Sequence, residues 1–193
     1  MKKNACATRP SCAALILVSA LGQLTGCLYA GDPGLVGVEH SDGASIEGVR
    51  VELIRHSTKC NSPESKGLIV EVGPGCEYPA SAVRELEANC SSAPHPGVEV
   101  HVEDSLVILD FSNVAEPGRF PDSAFEGYIL DVVRTADAPF LRAGLVNYEV
   151  STLDVVQDDV TIDHDRLAIN LAGRAYDANS FLQIHLYLVE GAE

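Results

Sequence analysis

The amino-acid sequence predicts an all-β protein built as an antiparallel β-sandwich. Three observations predict it: apolar and polar residues alternate in several runs, turn-forming residues bound these runs roughly every ten residues, and no helices alternate with them. Alternation with period two is typical of antiparallel strands that have one buried face and one solvated face. Many short strands without intervening helices favour a sandwich, and a small closed barrel is the alternative.

The predicted strands follow one another along the chain. The alternation is strongest in three runs, at residues 49–53, 98–103 and 182–190. Further strand-like runs lie between turn-forming residues, at residues 67–72, 105–111, 128–133, 160–163 and 166–171. His164-Asp165 joins the last two runs as a tight hairpin, and Glu103-Asp104 joins another pair.

One segment, at residues 81–90, has the spacing of a helix. Ser81 can cap its first turn, and Val83, Leu86 and Cys90 fall on one helical stripe. The sequence therefore predicts one short helix, with a turn-rich loop as the alternative.

The stretch at residues 38–53 places a turn and Gly48 before a strand of alternating apolar residues. It resembles the opening hairpin of transthyretin-like or immunoglobulin-like envelope modules. The resemblance implies a sandwich used for presentation or binding, and it carries no catalytic residues.

The composition supports a folded domain and narrows the function classes. The chain has 193 residues, of which 46% are hydrophobic and 21% charged, so it can bury the core of one ordinary domain. With 13 Lys and Arg against 28 Asp and Glu, the formal charge is −15. Nucleic-acid binding, which needs clustered bases on phosphates, is therefore not predicted.

The N-terminus has the three parts of an export signal. Residues 1–26 combine a basic start, an apolar run at residues 13–21 and a small-residue boundary. The apolar run is about nine residues long, roughly half of the ~20 that a helix needs to cross a bilayer. The sequence predicts a cleaved signal and no permanent span.

The boundary of this signal reads Leu24-Thr25-Gly26-Cys27, which resembles the lipobox of bacterial lipoproteins. In that family a dedicated peptidase cleaves before the cysteine after its thiol has received a diacylglyceryl group. The resemblance implies that Cys27 is lipidated and that its acyl chains hold the protein at a membrane. A plain secretory signal cut after Ala30 and a cytoplasmic chain with a buried N-terminal helix are the alternatives.

The residue after the cysteine is Leu28, and by the same resemblance this implies sorting to the outer membrane of a Gram-negative bacterium. The predicted organisation is a signal at residues 1–26, a lipidated cysteine with its tether at 27–34, and one β-sandwich domain at 35–193. Loss of the signal leaves 28 acids against 10 bases, a formal charge of −18. Because such a body is not attracted to an anionic membrane, the lipid anchor must supply the binding.

Three cysteines remain in the predicted domain, namely Cys60, Cys76 and Cys90. In an oxidising envelope we expect one disulfide and one remaining thiol, and the sequence leaves the pairing open. Their spacings contain no C-x₂₋₄-C knuckle, so a zinc site is not predicted.

Two groups of residues are candidates for metal binding. Carboxylate oxygens suit calcium, and the densest acidic region supplies four candidates, Asp158, Asp159, Asp163 and Asp165. Their spacing matches no EF-hand loop. The alternative is that these acids have no ligand and only keep the turns between strands soluble. His101 and His185 lie on outward faces of predicted strands and would form a site with nearby acids if those strands were neighbours.

No motif for a nucleophilic serine, a phosphate-binding loop or a zinc protease is present in the sequence. We therefore predict no catalytic residue, no cofactor and no enzymatic activity. The chain has five Phe, six Tyr and no Trp, which disfavours an aromatic platform for carbohydrate. Phe140, placed in a loop after Pro139, is a contact candidate, and a core position is its alternative.

These observations predict a membrane-anchored envelope lipoprotein that acts as a non-enzymatic interaction or structural module. Its partner would be an unknown envelope protein or polymer. The alternative is a calcium-dependent or hydrolytic periplasmic enzyme that uses the acidic loops at strand ends.

Overall fold

The protein is built mainly from short antiparallel strands. The computed structural model describes residues 44–59, 67–88, 96–133, 135 and 138–189. Within these residues the strands are β1 (Arg50–Ser57), β2 (Leu68–Glu71), β3 (Glu99–Glu103), β4 (Leu106–Asp110), β5 (Gly118–Arg119), β6 (Glu126–Val132), β7 (Phe140–Val146), β8 (Val160–Asp163), β9 (Arg166–Asn170), β10 (Ala175–Tyr176) and β11 (Phe181–Val189). Helix α1 spans Ala80–Ala88, and a 3-10 turn at Gln157–Asp159 precedes β8.

The prediction of an all-β protein is confirmed, since every predicted run overlaps an observed strand. Both predicted hairpins form, and Asp104 and His164 adopt positive φ angles of 49° and 57° in their turns. Short polar side chains such as Asp and His are among those that tolerate this left-handed region.

The helix is also confirmed, and its bounds differ from the prediction. It begins at Ala80, so Ser81 lies inside the first turn and the predicted capping role of Ser81 is wrong. The carbonyl of Pro79 instead accepts the N–H groups of Ala82 and Val83. Val83 and Leu86 are buried as expected, whereas Cys90 lies outside the described residues.

Strand β7 was not predicted, and the placement of Phe140 in a loop is wrong because β7 begins there. Two features hide the strand from a periodicity analysis. Its register against β11 shifts between Tyr187 and Leu188. A core-facing position also carries Gly144, whose missing side chain leaves room for Leu167, Ile184 and Val160. Strands β5 and β10 have two residues each, too few to show an alternation of apolar and polar residues.

The strands form two larger sheets and a small one. The five-stranded sheet has the order β2-β1-β6-β9-β8, the four-stranded sheet has the order β3-β4-β11-β7, and β5 pairs with β10. The apolar faces of both larger sheets contribute to one buried cluster. Residues 44–49 do not add a strand to β1: the N–H of Ile46 donates to the carbonyl of Asp104, and that of Gly48 to Val72. The remainder of the predicted opening hairpin, residues 38–43, lies outside the described residues.

A charged pair lies inside this core. Arg55 of β1 and Glu126 of β6 form an ion pair, and both side chains have 0% exposure. Ser57 donates its hydroxyl to the same carboxylate, and Nη1 of Arg55 donates to the carbonyl of Gly127 over 2.9 Å. Because a buried charge needs a partner, the two strands are held at this register by the pair as well as by their backbone hydrogen bonds.

Tyr78 connects the two larger sheets. Its backbone exchanges hydrogen bonds with Val100 at the edge of the four-stranded sheet, with N···O distances of 3.0 and 3.1 Å. Its phenol donates to the carbonyl of Val51 in the five-stranded sheet over 2.8 Å. Burial of the phenol, with a smaller contribution from the negative charge of Glu77, raises the pKa of Tyr78 far above its ordinary value of 10.0.

We expect Tyr78→Phe to lower the free energy of unfolding by about 1 kcal/mol at neutral pH, because the hydrogen bond to Val51 is lost. The raised pKa adds a pH dependence. Above pH 10.0 the unfolded tyrosine ionises while the folded one stays protonated, so stability declines as pH rises, and this part of the decline is absent in the variant. Urea denaturation at neutral pH and above pH 10.0 measures both effects. Tyr148→Phe, at a residue that is 60% exposed, is the matched control. If the free energy of unfolding fell equally at alkaline pH in wild type and in Tyr78→Phe, the assignment would be contradicted.

Candidate functional site

Several residues singled out by the sequence lie outside the described part of the chain. These are the export signal and tether at residues 1–34 with Cys27, and also Cys60 and Cys90. Cys76 is described, and it is disulfide-bonded. Its partner lies outside the described residues, so the choice between the remaining cysteines stays a prediction.

The four calcium candidates do not form one ligand set. Asp158 and Asp159 lie in the turn before β8, whereas Asp163 and Asp165 lie at its other end. The four residues of β8 separate the two pairs by roughly 13 Å, at about 3.3 Å per residue. Two of the carboxylates also have partners in the protein: Asp159 binds Arg174 at 2.6 Å, and Asp163 lies 2.6 Å from Nδ1 of His164.

His101 and His185 lie on the outer face of the four-stranded sheet and are not neighbours. Strand β4 separates their strands, with Ile108 opposite His101 and Leu106 opposite His185. Nε2 of His185 lies 3.2 Å from the amide nitrogen of Asn147. The condition for a site built from both histidines is therefore not met, because the strand order places β4 between their strands.

An open groove of about 700 Å³ lies beside the small sheet. Strands β5 and β10, together with the residues just before them (Pro117, Gly173 and Arg174), line it, and the loops at residues 152–154 and 177–180 contribute the other lining residues. The ring of Tyr176 lies in this lining and packs on Phe120 with a centroid distance of 5.0 Å. This volume falls within the range of small-molecule and side-chain binding pockets.

The groove differs in charge from the rest of this acidic chain. Its charged lining residues are two arginines and two aspartates, namely Arg119, Arg174, Asp154 and Asp177. Nη1 of Arg119 donates to the carbonyl of Gly173 over 2.6 Å, yet Arg119 stays exposed to solvent. The lining is therefore neutral overall in a chain whose formal charge is −15.

The loops around the groove are held by hydrogen bonds of their own. The hydroxyl of Thr152 donates to the carbonyl of Asn179 over 2.8 Å, which ties one loop to the other. Asp177 accepts the N–H of Asn179 over 2.7 Å, and Ser180 accepts the N–H of Asp177 over 2.9 Å. These contacts give the groove a preformed shape, which lowers the entropic cost of binding.

A second cluster lies at the edge of the four-stranded sheet. One ligand atom each from Cys76, Glu99 and His101 lies within 4.8 Å of the others, and this is the only such group of potential metal ligands among the described residues. Glu99 and His101 share one face of β3 because they are two residues apart. The bridge between Tyr78 and Val100 brings Cys76 alongside them.

Glu99 is an unusual member of this cluster because it is buried on the outer face of the sheet. It has 7% exposure, and its Oε2 atom has no hydrogen-bond partner. Asp110 lies directly opposite Glu99 on β4 and is equally buried, although its Oδ1 accepts the N–H of Ser112 over 2.7 Å. Two carboxylates thus lie side by side with little access to water.

Neither the groove nor this cluster is predicted from the sequence. The spacing of Glu99 and His101 is a usable signal, since two metal-ligating residues alternate on one strand face. Cys76 lies far from them in sequence, and the pairing of β5 with β10 brings Arg119 and Arg174 to the same groove. Strand pairing, which the sequence does not reveal, therefore assembles both sites.

No protein-family model, curated protein or solved structure matches this chain. Among the described residues, no helix combines the length and the apolar character needed to span a membrane. Function is therefore inferred from the residues and their geometry.

Proposed function

We propose that the protein is a lipid-anchored, non-enzymatic interaction module of the bacterial cell envelope, held in the outer membrane by Cys27. The observation that carries the proposal is the preformed groove of about 700 Å³ on an antiparallel β domain. The anchor is inferred from the sequence Leu24-Thr25-Gly26-Cys27 and the apolar run before it. The groove binds a partner, and the anchor keeps that binding surface at the membrane.

We also propose that the domain is a β-sandwich of the immunoglobulin-like or transthyretin-like kind. Its support is the single buried cluster to which both larger sheets contribute. A Cβ atom on Gly144 of the four-stranded sheet would meet side chains of Leu167 and Val160 from the five-stranded sheet at 3.0 and 3.3 Å. Close face-to-face packing of two antiparallel sheets is the geometry of such sandwiches.

Charge favours the groove as the binding surface. Envelope surfaces and polymers are commonly anionic, and they are repelled by most of a domain whose mature form carries −18. In the groove lining two arginines balance two aspartates, so this repulsion is offset there. Arg119 is exposed and can form a two-pronged contact with a carboxylate or phosphate.

The described geometry does not favour the calcium site of the alternative function. Its four aspartates lie at the two ends of β8, and Arg174 binds Asp159. We therefore propose the binding module alone.

Site-specific photo-crosslinking in cells tests the proposal. A photoreactive residue replaces Asn179 in the groove or, as the matched control, Thr161, an exposed residue of β8 outside the groove. Each replacement is made in the wild type and in Cys27→Ala. We expect a discrete product from position 179 alone, competed by excess unlabelled protein, and a membrane-bound chain that becomes soluble in Cys27→Ala.

The two parts of the proposal fail separately. An unlipidated mass for the membrane-extracted wild type, or an unchanged membrane fraction in Cys27→Ala, would refute the anchor. Equal crosslinking from both positions, or none under varied growth conditions, would refute the groove as the binding surface.

A further inference from the structure

We propose that Cys76, Glu99 and His101 bind one zinc ion when Cys76 is reduced, so that the metal and the disulfide compete for the same sulfur atom. The three ligand atoms lie within 4.8 Å of one another at the edge of β3. This inference is independent of the lipid anchor and of the groove.

The ligand types select the metal. Thiolate, imidazole and carboxylate are the side chains that hold zinc, whereas calcium and magnesium take oxygen ligands alone. Around a tetrahedral zinc ion such ligand atoms lie about 3.4–3.6 Å apart, given bond lengths of about 2.0–2.3 Å. The observed separations are at most 4.8 Å. Side-chain rotations that move the ligand atoms by roughly 1 Å would therefore bring them to the distances of a zinc site. Three protein ligands leave a fourth position for water or another ligand.

The buried carboxylate of Glu99 is the independent observation that points to a cation. Its side chain is 7% exposed and Oε2 has no hydrogen-bond partner. A buried charged group without a partner destabilises a protein unless a counter-charge or a metal meets it. Asp110 on the neighbouring strand adds a second carboxylate beside it, which makes this position more favourable for a divalent cation.

The surrounding backbone holds the ligands in place. Glu77 accepts the N–H of Val102 over 2.8 Å and that of Gly73 over 3.4 Å, so its carboxylate fastens the segment before α1 to β3. Tyr78 exchanges two backbone hydrogen bonds with Val100. Cys76 therefore remains next to Glu99 and His101 through contacts that do not involve its sulfur.

The disulfide of Cys76 sets the condition for binding. A phosphine reductant converts the disulfide to two thiols and becomes the phosphine oxide, with water supplying the oxygen and two hydrogens. Zinc then binds the sulfur of Cys76, and the thiol proton passes to solvent. A small-molecule disulfide such as oxidised glutathione takes up the two electrons and, with protons from the second thiol and from solvent, leaves as two thiols. The protein disulfide then re-forms and the zinc ion is released, so the site responds to the thiol–disulfide balance around the protein.

Cobalt, which replaces zinc in such sites, gives the test because a cobalt–thiolate bond has a charge-transfer absorption in the near ultraviolet. The full-length protein in detergent is titrated with Co²⁺ before and after phosphine reduction without oxygen. We expect the absorption only after reduction, saturating at one equivalent. Glu99→Gln and His101→Gln should weaken the affinity by at least about tenfold. His185→Gln, a histidine on the same sheet face outside the cluster, should leave it unchanged.

Zinc protection of Cys76 tests the site without any variant. In the reduced wild type, zinc should slow alkylation of Cys76 by at least about tenfold relative to Cys60 and Cys90, as read from peptide masses. Circular dichroism checks that each variant is folded. The proposal is overturned if the reduced wild type shows no thiolate–cobalt absorption, if both variants keep the wild-type affinity, or if zinc protects all three cysteines equally.

Discussion

Replacing Glu126 with Ala is expected to lower the free energy of unfolding by about 3–5 kcal/mol, the cost of leaving one member of a buried ion pair without its partner. Arg55 and Glu126 both have 0% exposure, so water cannot replace the lost carboxylate. The hydroxyl of Ser57 loses its acceptor in the same variant. Urea denaturation of wild type and Glu126→Ala at neutral pH measures the difference.

Two control variants show whether the loss of stability comes from the burial of the ion pair or from the loss of any ion pair. Arg166 and Asp131 form a surface pair in which both nitrogen–oxygen distances are 2.7 Å, and the exposures of the two side chains are 53% and 22%. Asp131→Ala should therefore cost about 1 kcal/mol or less. The double variant Arg55→Met, Glu126→Leu should recover most of the lost stability, because an apolar pair of similar volume needs no charge compensation. Equal losses in Glu126→Ala and Asp131→Ala would contradict the assignment.

The buried pair also supports the groove. The guanidinium of Arg55 lies 5.9 Å from the centroid of the Phe120 ring, and Phe120 packs edge-on against Tyr176 in the groove lining. A change at Glu126 thus reaches the groove through two aromatic contacts. Groove crosslinking should therefore weaken in folded Glu126→Ala protein.

Gly127→Ala is expected to destabilise the protein by about 3 kcal/mol, at the upper end of overpacking effects. A Cβ atom at Gly127 would overlap the carbonyl oxygen of Ile169, a backbone atom of the neighbouring strand β9. Backbone cannot rotate away as a flexible side chain does, so β6 and β9 would have to separate. The same shift would move the carbonyl of Gly127 away from Arg55.

Gly73→Ala is the matched control, since a Cβ atom there meets nothing within 4 Å. Its effect should stay within about 0.5 kcal/mol of wild type. Thermal and urea unfolding of both variants give the comparison. A loss in Gly127→Ala no larger than that in Gly73→Ala would show that the two strands absorb the extra atom without cost.

The alternation along the chain predicted eight of the strands and the two hairpins, because burial of one sheet face imposes a period of two on each strand locally. The same parity places Arg55 on the core-facing side of β1, in line with Val51 and Leu53. Its partner could not be predicted in this way. Glu126 lies opposite Ser57 only because β1 pairs with β6. Local periodicity does not show which strands will be neighbours.

The export signal and the lipidation of Cys27 stay predictions from the sequence alone, because such a signal is recognised as a linear segment. Strand-like runs and the helix at residues 80–88 were determined by local patterns. The tertiary structure decided everything that depends on which strands are neighbours. It separated His101 from His185 by placing β4 between them, and it brought Cys76 to Glu99 and His101. The physical reason is that local patterns set which face of each element is buried, whereas a site forms where non-local pairing places polar groups from distant segments together.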